Sequence, residues 1–447
     1  MTSNDYDILI IGGGLVGASL ACALGNQPGL RIGLIEAAPW AAAAPSMPVT
    51  ASAACMAALQ HPTTAILPDT VQEERSLKSP ISIPSSYDDR SIALAYGTRR
   101  IFEGMGLWPL LADSTSPIKK IHVSDRGHAG VTRLDCADEG VDAMGYVVVS
   151  RVLGQMLACA LRNVPNVDLI CPALLTDIAI NSSGAQIVID QAGTQRTLTA
   201  QLVVAADGGK SSVRERLGIA STTWDYHQTA IITNITPQYH HNQTAYERFT
   251  ENGPLAMLPM NDSRCAVVWT VASGQAANIM RMDDDEFRHG LQTAFGYRLG
   301  KLQKVGMRHA YPLALTAARE HVRPHLAIIG NAAHTLHPIA GQGFNLGLRD
   351  VAALAQIVVD ARRAGRDIGS MDVLADYADW RRHDQRRAIA FTDSLIRIFT
   401  NPLVPFVVGR NLGLVAVDLL PPLKHILARQ TMGLVGKLPR LARGLGL

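Results

Sequence analysis

The sequence has few aromatic residues, few charged residues and little net charge. Aromatic residues form 5% and charged residues 18% of the 447 positions, and the formal net charge is +3. The chain contains no basic run with interleaved aromatic residues, which is the pattern typical of nucleic-acid-binding surfaces. We therefore expect no nucleic-acid partner. Hydrophobic residues form 47%, and the length predicts about two to three domains with a large buried core.

Paired cysteines are also lacking. No C-x-x-C sequence occurs, and structural zinc sites and disulfide frameworks need such closely paired spacing, so we expect no metal site. The first seven residues are acidic rather than basic, which predicts neither a secretory signal nor a transit peptide. We therefore expect a cytoplasmic protein. The six cysteines are Cys22, Cys55, Cys136, Cys159, Cys171 and Cys265.

Long uninterrupted hydrophobic runs do not occur either. The uncharged stretch 37–68 is interrupted by five prolines, and the apolar stretch 391–447 is punctuated by charges. A membrane-spanning helix needs about 20 apolar residues, so we predict no transmembrane segment. Residues 41–86 are mostly Ala, Ser, Pro and Thr, and we expect a long excursion there that contributes little to a core.

The N-terminal region has the spacing of a dinucleotide-binding unit. A second short strand, over 31–35, ends at Glu36, whose carboxylate can accept hydrogen bonds from an adenosine ribose and repels a 2′-phosphate. The predicted occupant is therefore the ADP half of FAD or NAD, not of NADP. Glycines between the two strands allow a tight turn, close approach of a pyrophosphate and close helix packing, and the helix N-terminus attracts the phosphates. These glycines follow an apolar strand over 7–11 and are Gly12, Gly14 and Gly17.

A second glycine-rich loop distinguishes FAD from NAD. It lies between an apolar strand over 326–329 and a long predicted helix. Such a loop can bring backbone N–H groups to the N1–C2=O edge of an isoalloxazine ring, which becomes anionic on reduction and is stabilised by the positive end of a helix. A plain NAD dehydrogenase has no use for a second glycine loop, so the pattern favours FAD. The candidate residues are Pro338, Gly341, Gln342, Gly343 and Asn345.

Two further candidates are less specific. Asp207-Gly208 follows an apolar strand over 202–206. A D-G pair alone is typical of a turn, but between the two glycine loops we interpret it as a third contact with the same dinucleotide. Arg90 can pair with a phosphate or with the flavin, or it can lie on the surface as most arginines do.

Together these motifs resemble a known family. The first glycine cluster, the stretch 88–94, Asp207-Gly208 and the segment 330–345 occur in the order of the single-component FAD-dependent aromatic hydroxylases, which share the para-hydroxybenzoate hydroxylase fold. More narrowly, the chain resembles the ubiquinone-biosynthesis branch of that family. The segments that favour this branch are 122–130, 249–260 and 336–350.

The resemblance implies an α/β fold with an inserted sheet. The expected architecture is a Rossmann-type FAD-binding domain with an inserted antiparallel β-sheet substrate domain and C-terminal helices. The FAD-binding domain is expected in three parts, 1–117, 150–220 and 309–374. The substrate domain is expected at 118–149 and 221–308, and the helical region at 375–447.

The resemblance also implies a reaction. NAD(P)H reduces FAD, and O2 forms a hydroperoxide at the flavin C4a position that hydroxylates the ring of a polyprenyl phenol such as a 2-polyprenyl-6-methoxyphenol. The sequence has no second dinucleotide-binding unit, so NADH or NADPH is expected to dock transiently, and nothing chooses between them. Two other functions stay open. One is a flavin reductase or oxidase on the same fold, and the other is a non-catalytic FAD-binding scaffold of the ubiquinone-synthesis complex.

Three residues of the second loop region need comment. The family usually has Asp where this chain has Asn331, which can still hydrogen-bond to the ribityl or ribose hydroxyls, so we expect FAD binding to survive. His334 and His337 are candidates for proton transfer because an imidazole titrates near neutrality. The favoured interpretation is that the two histidines brace the loop.

The C-terminal region carries an excess of positive charge. From 391 to 447, seven basic residues stand against two acidic ones, a net of +5 compared with +3 for the whole chain. Basic residues among Leu, Val and Ile suit an anionic membrane surface or a partner protein of the ubiquinone-synthesis complex. We therefore expect peripheral attachment at the inner face of the cell membrane, with a solvated helical bundle as the alternative.

Overall fold

The computed structural model describes residues 5–39 and 90–447. The expected excursion over 41–86, together with Asp88 and Asp89 of the family motif, lies outside the described residues. Within the described part there are twenty strands and eleven α-helices.

The strands and helices are numbered here in chain order. The strands are β1 (Tyr6–Ile11), β2 (Ile32–Ile35), β3 (Ser91–Ala95), β4 (Ser116–Ile118), β5 (Lys120–Asp125), β6 (Val131–Asp135), β7 (Gly145–Val149), β8 (Val167–Ile170), β9 (Leu174–Asn181), β10 (Gly184–Gln191), β11 (Thr194–Ala205), β12 (Ser221–Pro237), β13 (Thr244–Thr250), β14 (Gly253–Pro259), β15 (Cys265–Ala272), β16 (Leu302–Val305), β17 (His309–Ala318), β18 (Val322–Arg323), β19 (Leu326–Ile328) and β20 (His334–Thr335). The α-helices are α1 (Leu15–Gly25), α2 (Tyr96–Gly104), α3 (Trp108–Leu111), α4 (Ser150–Arg162), α5 (Ser212–Arg216), α6 (Ser273–Arg281), α7 (Asp284–Phe295), α8 (Gln342–Arg363), α9 (Met371–Thr400), α10 (Val404–Leu419) and α11 (Pro421–Thr431).

An eight-stranded sheet is built around five parallel strands. Its order is β18-β19-β11-β1-β2-β8, and β9 and β10 form an antiparallel extension on β11. Parallel strands covered on both faces read as continuous apolar runs. This explains β1, in which Ile8, Leu9 and Ile10 are fully buried between two separate hydrophobic clusters. The predicted α/β fold is confirmed.

A nine-stranded sheet forms the second half of the molecule. Its order is β20-β17-β12-β15-β14-β13-β5-β6, with β16 paired to β12, and all pairs except β13 with β5 are antiparallel. Alternate residues of its strands point to opposite faces. One face packs on α6 and α7 through residues such as Met257, Val267 and Phe287. The other face borders the cavity described below.

A three-stranded antiparallel sheet, β3-β7-β4, joins the two halves. The segment 118–149 is therefore divided. Its strands β5 and β6 belong to the nine-stranded sheet, whereas β7 pairs with β3, which begins directly after Arg90.

The last part of the chain, from residue 371 onward, is mainly helical and contains α9 to α11. Among the residues that the structure describes, no single helix has the length and apolar character to cross a membrane. The pair α10 and α11 meets that requirement only when the two are taken together, and they bend by 98° at their junction.

Candidate cofactor and substrate site

A large cavity lies between the parallel sheet, the nine-stranded sheet and the C-terminal helices. Its volume is about 1040 Å³, at the upper end of the range of about 300–1,000 Å³ for small-molecule sites. One end is formed by the glycine loops, and the other by an apolar sheet face and by side chains of α9, α10 and α11. A cavity of this size and composition can hold a dinucleotide and an apolar second ligand side by side.

The structure brings most of the sequence-predicted residues to this cavity. Gly17, Gln342, His334 and His337 are not among the residues that line it. Those that line it are Gly12, Gly14, Glu36, Arg90, Asp207, Gly208, Asn331, Pro338, Gly341, Gly343 and Asn345.

The first glycine loop is tightly packed. Gly12 has a φ of +104° and lies where a Cβ would be 2.6 Å from the carbonyl oxygen of Ala206. A Cβ on Gly17 would lie 1.9 Å from the carbonyl oxygen of Gly12. Gly17 therefore acts by letting α1 pack against the loop, while Gly12 and Gly14 border the cavity. Gly14 precedes α1, whose N-terminus has no side-chain cap, so the helix end is open toward a phosphate.

Glu36 faces this loop from the end of β2. Its Oε2 accepts a hydrogen bond from the backbone N–H of Gly13 at 2.6 Å, and its Oε1 accepts one from Ala38 at 2.9 Å. The carboxylate is held at the cavity wall, and each oxygen retains a lone pair. This position suits the ribose contact predicted for it.

The second glycine loop is fixed to β3 by Asn345. The Asn345 Oδ1 accepts hydrogen bonds from the Ala95 N–H at 2.9 Å and the Thr98 hydroxyl at 2.7 Å. Its Nδ2 donates to the carbonyls of Ala93 at 2.8 Å and Gly341 at 2.6 Å. The side-chain amide is thus used within the protein, so the contribution of Asn345 to a bound cofactor is to shape the loop.

The helix that follows this loop begins three residues before Asn345. Gly341 has a φ of +61°, a left-handed conformation that favours glycine. It allows α8 to begin at Gln342 without a side-chain cap. A Cβ on Gly343 would meet nothing within 4 Å. The loop therefore presents an open helix N-terminus to the cavity, as α1 does.

Asp207 offers a buried oxygen atom that has no partner. Its Oδ2 accepts hydrogen bonds from the Ser212 hydroxyl and the Val213 N–H, both at 3.1 Å. Its Oδ1 is buried and has no hydrogen-bond partner in the described part of the chain. Buried polar atoms are almost always hydrogen-bonded in complete proteins. This orphaned oxygen at the cavity wall is the local sign of a missing donor.

Arg90 lies at the cavity and not on the outer surface. Its guanidinium stands over the ring of Tyr311, 4.7 Å from the ring centre, and both residues line the cavity. The planar face of the guanidinium is thus occupied by the tyrosine ring, and its position at the cavity wall places it where an anionic ligand group can reach it.

His334 is buried behind the second loop. Its Nε2 lies 2.8 Å from Oδ2 of Asp350, a fully buried carboxylate that also accepts hydrogen bonds from Arg381 at 2.7 Å and Gln385 at 3.0 Å. His334 does not reach the cavity, so its position supports the bracing interpretation over proton transfer to a ligand.

His337 is buried in the same way. Its Nδ1 accepts a hydrogen bond from the Ile339 N–H at 3.2 Å, so its Nε2 carries the proton and donates to Gln228 Oε1 at 3.2 Å. Burial lowers the pKa of His337 to about 4. The imidazole is therefore neutral at physiological pH and braces the loop.

One carboxyl group of the site was missed by the sequence analysis. Glu247 of β13 lines the cavity, and its Oε1 is buried and has no hydrogen-bond partner among the described residues. Burial raises the pKa of Glu247 to about 7. The available signal was weak: in Ala245-Tyr-Glu-Arg-Phe249, a glutamate stands in phase with two apolar residues on a strand.

The site fits FAD on its own geometry. Two uncapped helix N-termini, at Leu15 and Gln342, open on one cavity. A ribityl or ribose hydroxyl of FAD can donate a hydrogen bond to Asp207 Oδ1, which has no partner among the described residues. No cluster of three or more metal-ligating side chains occurs within residues 5–39 and 90–447.

Comparison with known proteins agrees with this geometry. The FAD binding domain family matches residues 83–392. The chain is 36% identical over 444 residues to a ubiquinone hydroxylase, UbiL, of Rhodospirillum rubrum, covering 99% of this chain and 93% of that protein. The chain belongs to the FAD-dependent aromatic hydroxylases. Its predicted cofactor, FAD, is thereby confirmed.

Other relatives of this FAD-dependent aromatic hydroxylase support the same assignment. It is 30% identical to 3-demethoxyubiquinol 3-hydroxylase of Escherichia coli, covering 97% of this chain and all of that one. Among solved structures, p-nitrophenol 4-monooxygenase PnpA from Pseudomonas putida has a TM-score of 0.74 at 17% identity, covering 98% of this chain and 100% of that one. That likeness shows the fold.

Proposed function

We propose that this FAD-dependent hydroxylase adds an oxygen atom to the aromatic ring of a prenylated phenol in ubiquinone biosynthesis, using NAD(P)H and O2. One observation carries the proposal: the cavity is continuous from the two glycine loops to an apolar end bordered by Phe399, Leu414 and Leu427. An aromatic ring near the second loop would leave its apolar chain in that end. The names of the curated relatives support the ubiquinone pathway.

The residues of the chain have distinct tasks in this proposal. When bound, FAD supplies the redox chemistry and the activation of O2. The open N-terminus of α1 holds the diphosphate, and the open N-terminus of α8 stabilises negative charge on the ring system. The apolar sheet face and the stacked pair Phe249 and Phe399, whose ring centres are 3.6 Å apart, keep water from the reacting ring.

Substrate-dependent oxygen incorporation tests the proposal. Purified protein loaded with FAD should consume NAD(P)H and O2 faster with 2-prenyl-6-methoxyphenol-type substrates, and one atom of labelled dioxygen should enter the ring. Turnover without O2 would instead favour a reductase, and absence of turnover with every candidate phenol would favour a scaffold. Deleting the gene and identifying the accumulated precursor by mass spectrometry would give the ring position.

We also infer that α10 and α11 contact the membrane in which a prenylated substrate dissolves. The exposed apolar residues of α10 recur every three to four positions, so they lie on one face of the helix. On this outer face, Val404 is 72% exposed, Leu412 is 65% exposed and Leu419 is 70% exposed. Ile426 of α11 is 66% exposed. The inner side of the same helix pair borders the cavity through Leu414 and Leu427. The pair therefore connects the apolar exterior with the substrate end of the cavity.

The apolar face supports this contact better than the basic charge does. Arg410 is buried in an ion pair with Asp125 at 2.8 Å, and Arg397 pairs with Asp393 at 2.6 Å. Lys424 lies 3.9 Å from a carboxylate oxygen of Asp418. Arg397 and Lys424 are thus paired with the two acidic residues of the segment, and Arg410 with an acidic residue outside it, so part of the C-terminal positive charge is neutralised within the fold and we expect binding to depend mainly on buried apolar area.

A further inference from the structure

The cavity-facing side of the nine-stranded sheet is apolar except near one carboxyl group. The two residues that pair with Glu247 on neighbouring strands are Val123 of β5 and Ala256 of β14. Ala245 and Phe249, two residues before and after it on the same face, also line the cavity. Glu247 therefore stands in the middle of an apolar wall.

This carboxyl group has no task within the fold. The other two acidic residues of the cavity wall, Glu36 and Asp207, each accept hydrogen bonds from backbone N–H groups. The Glu247 Oε1 has no hydrogen-bond partner among the described residues. An unsatisfied buried acceptor is costly, and a ligand with a hydroxyl group would remove that cost.

Glu247 lines the same cavity as the second glycine loop. Phe249 shares a hydrophobic cluster with Ile339 of that loop. Two residues along a strand span about 7 Å, roughly the width of one aromatic ring with its substituents. A ring that contacts Glu247 through its hydroxyl group can therefore lie beside the loop that we assign to the isoalloxazine.

We propose that Glu247 accepts a hydrogen bond from the ring hydroxyl of the substrate and takes its proton while oxygen is added to the ring. This inference rests on the proposed function. The phenol O–H bond breaks and a carboxyl O–H bond forms, and the electron pair stays on the phenol oxygen, which makes the ring more nucleophilic. The ring then releases its carbon-bound hydrogen as a proton to solvent water, and Glu247 returns its own proton to the phenol oxygen, so this proton exchange needs no external oxidant or reductant.

Burial prepares the group for this exchange. It raises the pKa of Glu247 to about 7, and a general base works best when its pKa lies near the operating pH. Among the described residues, the other charged groups that line the cavity are Glu36, Asp207 and Arg90, and Arg90 is held over the ring of Tyr311.

Paired probes and two variants test this role in the FAD-loaded enzyme. The probes are a 2-prenyl-6-methoxyphenol and its O-methyl ether, which lacks the donor. Wild type should bind the phenol about tenfold or more tightly than the ether, and E247L should lose this preference, because a hydrogen bond to a charged group is worth about that factor. E247Q keeps an acceptor oxygen but cannot take a proton, so its kcat should fall about 100-fold or more and its pH profile should lose the ionisation near pH 7.

Two controls separate a substrate role from a structural one. FAD content and the rate of flavin reduction by NAD(P)H should be unchanged in E247Q, which is nearly isosteric with wild type. Glu251→Gln removes an exposed carboxylate just beyond the same strand and should leave every measurement unchanged. Wild-type rates and an unaltered pH profile in E247Q and E247L would overturn this inference and leave the proposed function intact. Failure of wild type to hydroxylate any phenol would overturn the proposed function itself.

Discussion

At the scale of single residues, the site combines carboxylates with opposite electrostatic situations. Asp350, behind the second loop, is fully buried but surrounded by donors, whereas Glu247 lines the cavity and its Oε1 has no hydrogen-bond partner among the described residues. Burial alone would raise the pKa of Asp350, yet Arg381 and His334 hold it well below its usual range. The two groups should therefore respond in opposite ways to substitution.

Neutralising Asp350 should destabilise the fold strongly. The change Asp350→Asn leaves the buried Arg381 guanidinium with Asp384 as its remaining carboxylate partner, and removing one member of a buried ion pair costs about 3–5 kcal/mol. Urea unfolding of the FAD-loaded protein measures the loss. Asp379→Asn is the matched control because its pair with Arg382 is exposed, and we expect a cost of about 0–1 kcal/mol. Equal effects of the two changes would contradict this account.

Neutralising Glu247 should stabilise the substrate-free fold at high pH. Its pKa rises from 4.5 to about 7 on folding, so the native state binds more protons in that interval and stability falls as pH rises through it. E247Q should be more stable than wild type by about 1–2 kcal/mol at pH 8, less than the full shift implies because the side chain borders an open cavity. The difference should disappear toward pH 4.5. Thermal unfolding across this range checks it, and a gain in E247Q that is independent of pH would refute the assignment.

At the scale of elements, the approach of α1 to the first loop is decisive for the cofactor. In Gly17→Ala the new Cβ would lie 1.9 Å from the Gly12 carbonyl oxygen, so the helix must move away from the loop to which we assign the diphosphate. We expect loss of most bound FAD and a cost of about 1–3 kcal/mol from overpacking. The ratio of flavin absorbance to protein and the melting temperature measure both. Gly274→Ala, whose Cβ would meet nothing within 4 Å, should change neither.

The helix pair α10 and α11 should bind lipid through its outer face. Replacing Leu412, Leu419 and Ile426 together by Glu should abolish flotation with vesicles of zwitterionic lipid and leave FAD content unchanged, because these exposed side chains do not line the cavity. Met307→Glu with Tyr297→Glu, at exposed apolar positions elsewhere, is the control. Flotation that requires anionic lipid and survives the triple substitution would show that charge, not apolar area, holds the protein.

At the scale of the whole molecule, α9 links α8, which follows the second glycine loop, to the apolar end of the cavity. Arg381 and Gln385 of α9 donate hydrogen bonds to Asp350 of α8, and α9 continues to Phe399 at the cavity. FAD binding should therefore protect α9 and the helices beyond it. When free FAD is present at one hundred times its dissociation constant, binding adds about 2.7 kcal/mol to the free energy of unfolding. Limited proteolysis should cleave the region 391–431 faster without FAD than with it, and equal rates would argue against this coupling.

The sequence predicts local features well and distant pairings poorly. The motifs of the glycine loops and of Asp207 each lie within a few consecutive residues, so they could be recognised in the sequence. Their position at one cavity could be expected from their order in the family. Glu247 could not be recognised, because its isolation depends on which strands lie beside β13. The ion pairs of the C-terminal basic residues could not be foreseen for the same reason: Asp125, the partner of Arg410, lies 285 residues away.

The order in which the ribosome synthesises the chain has a consequence for Asp350 and the side chains that bind it. Arg381 follows Asp350 by 31 residues, so a ribosome completes the carboxylate well before it supplies the compensating guanidinium. A product truncated between these points would have to enclose the Asp350 carboxylate with His334 but without the Arg381 guanidinium, or leave α8 undocked. We expect such fragments to be less stable than the full-length protein, because a buried charge that lacks its partner is destabilising.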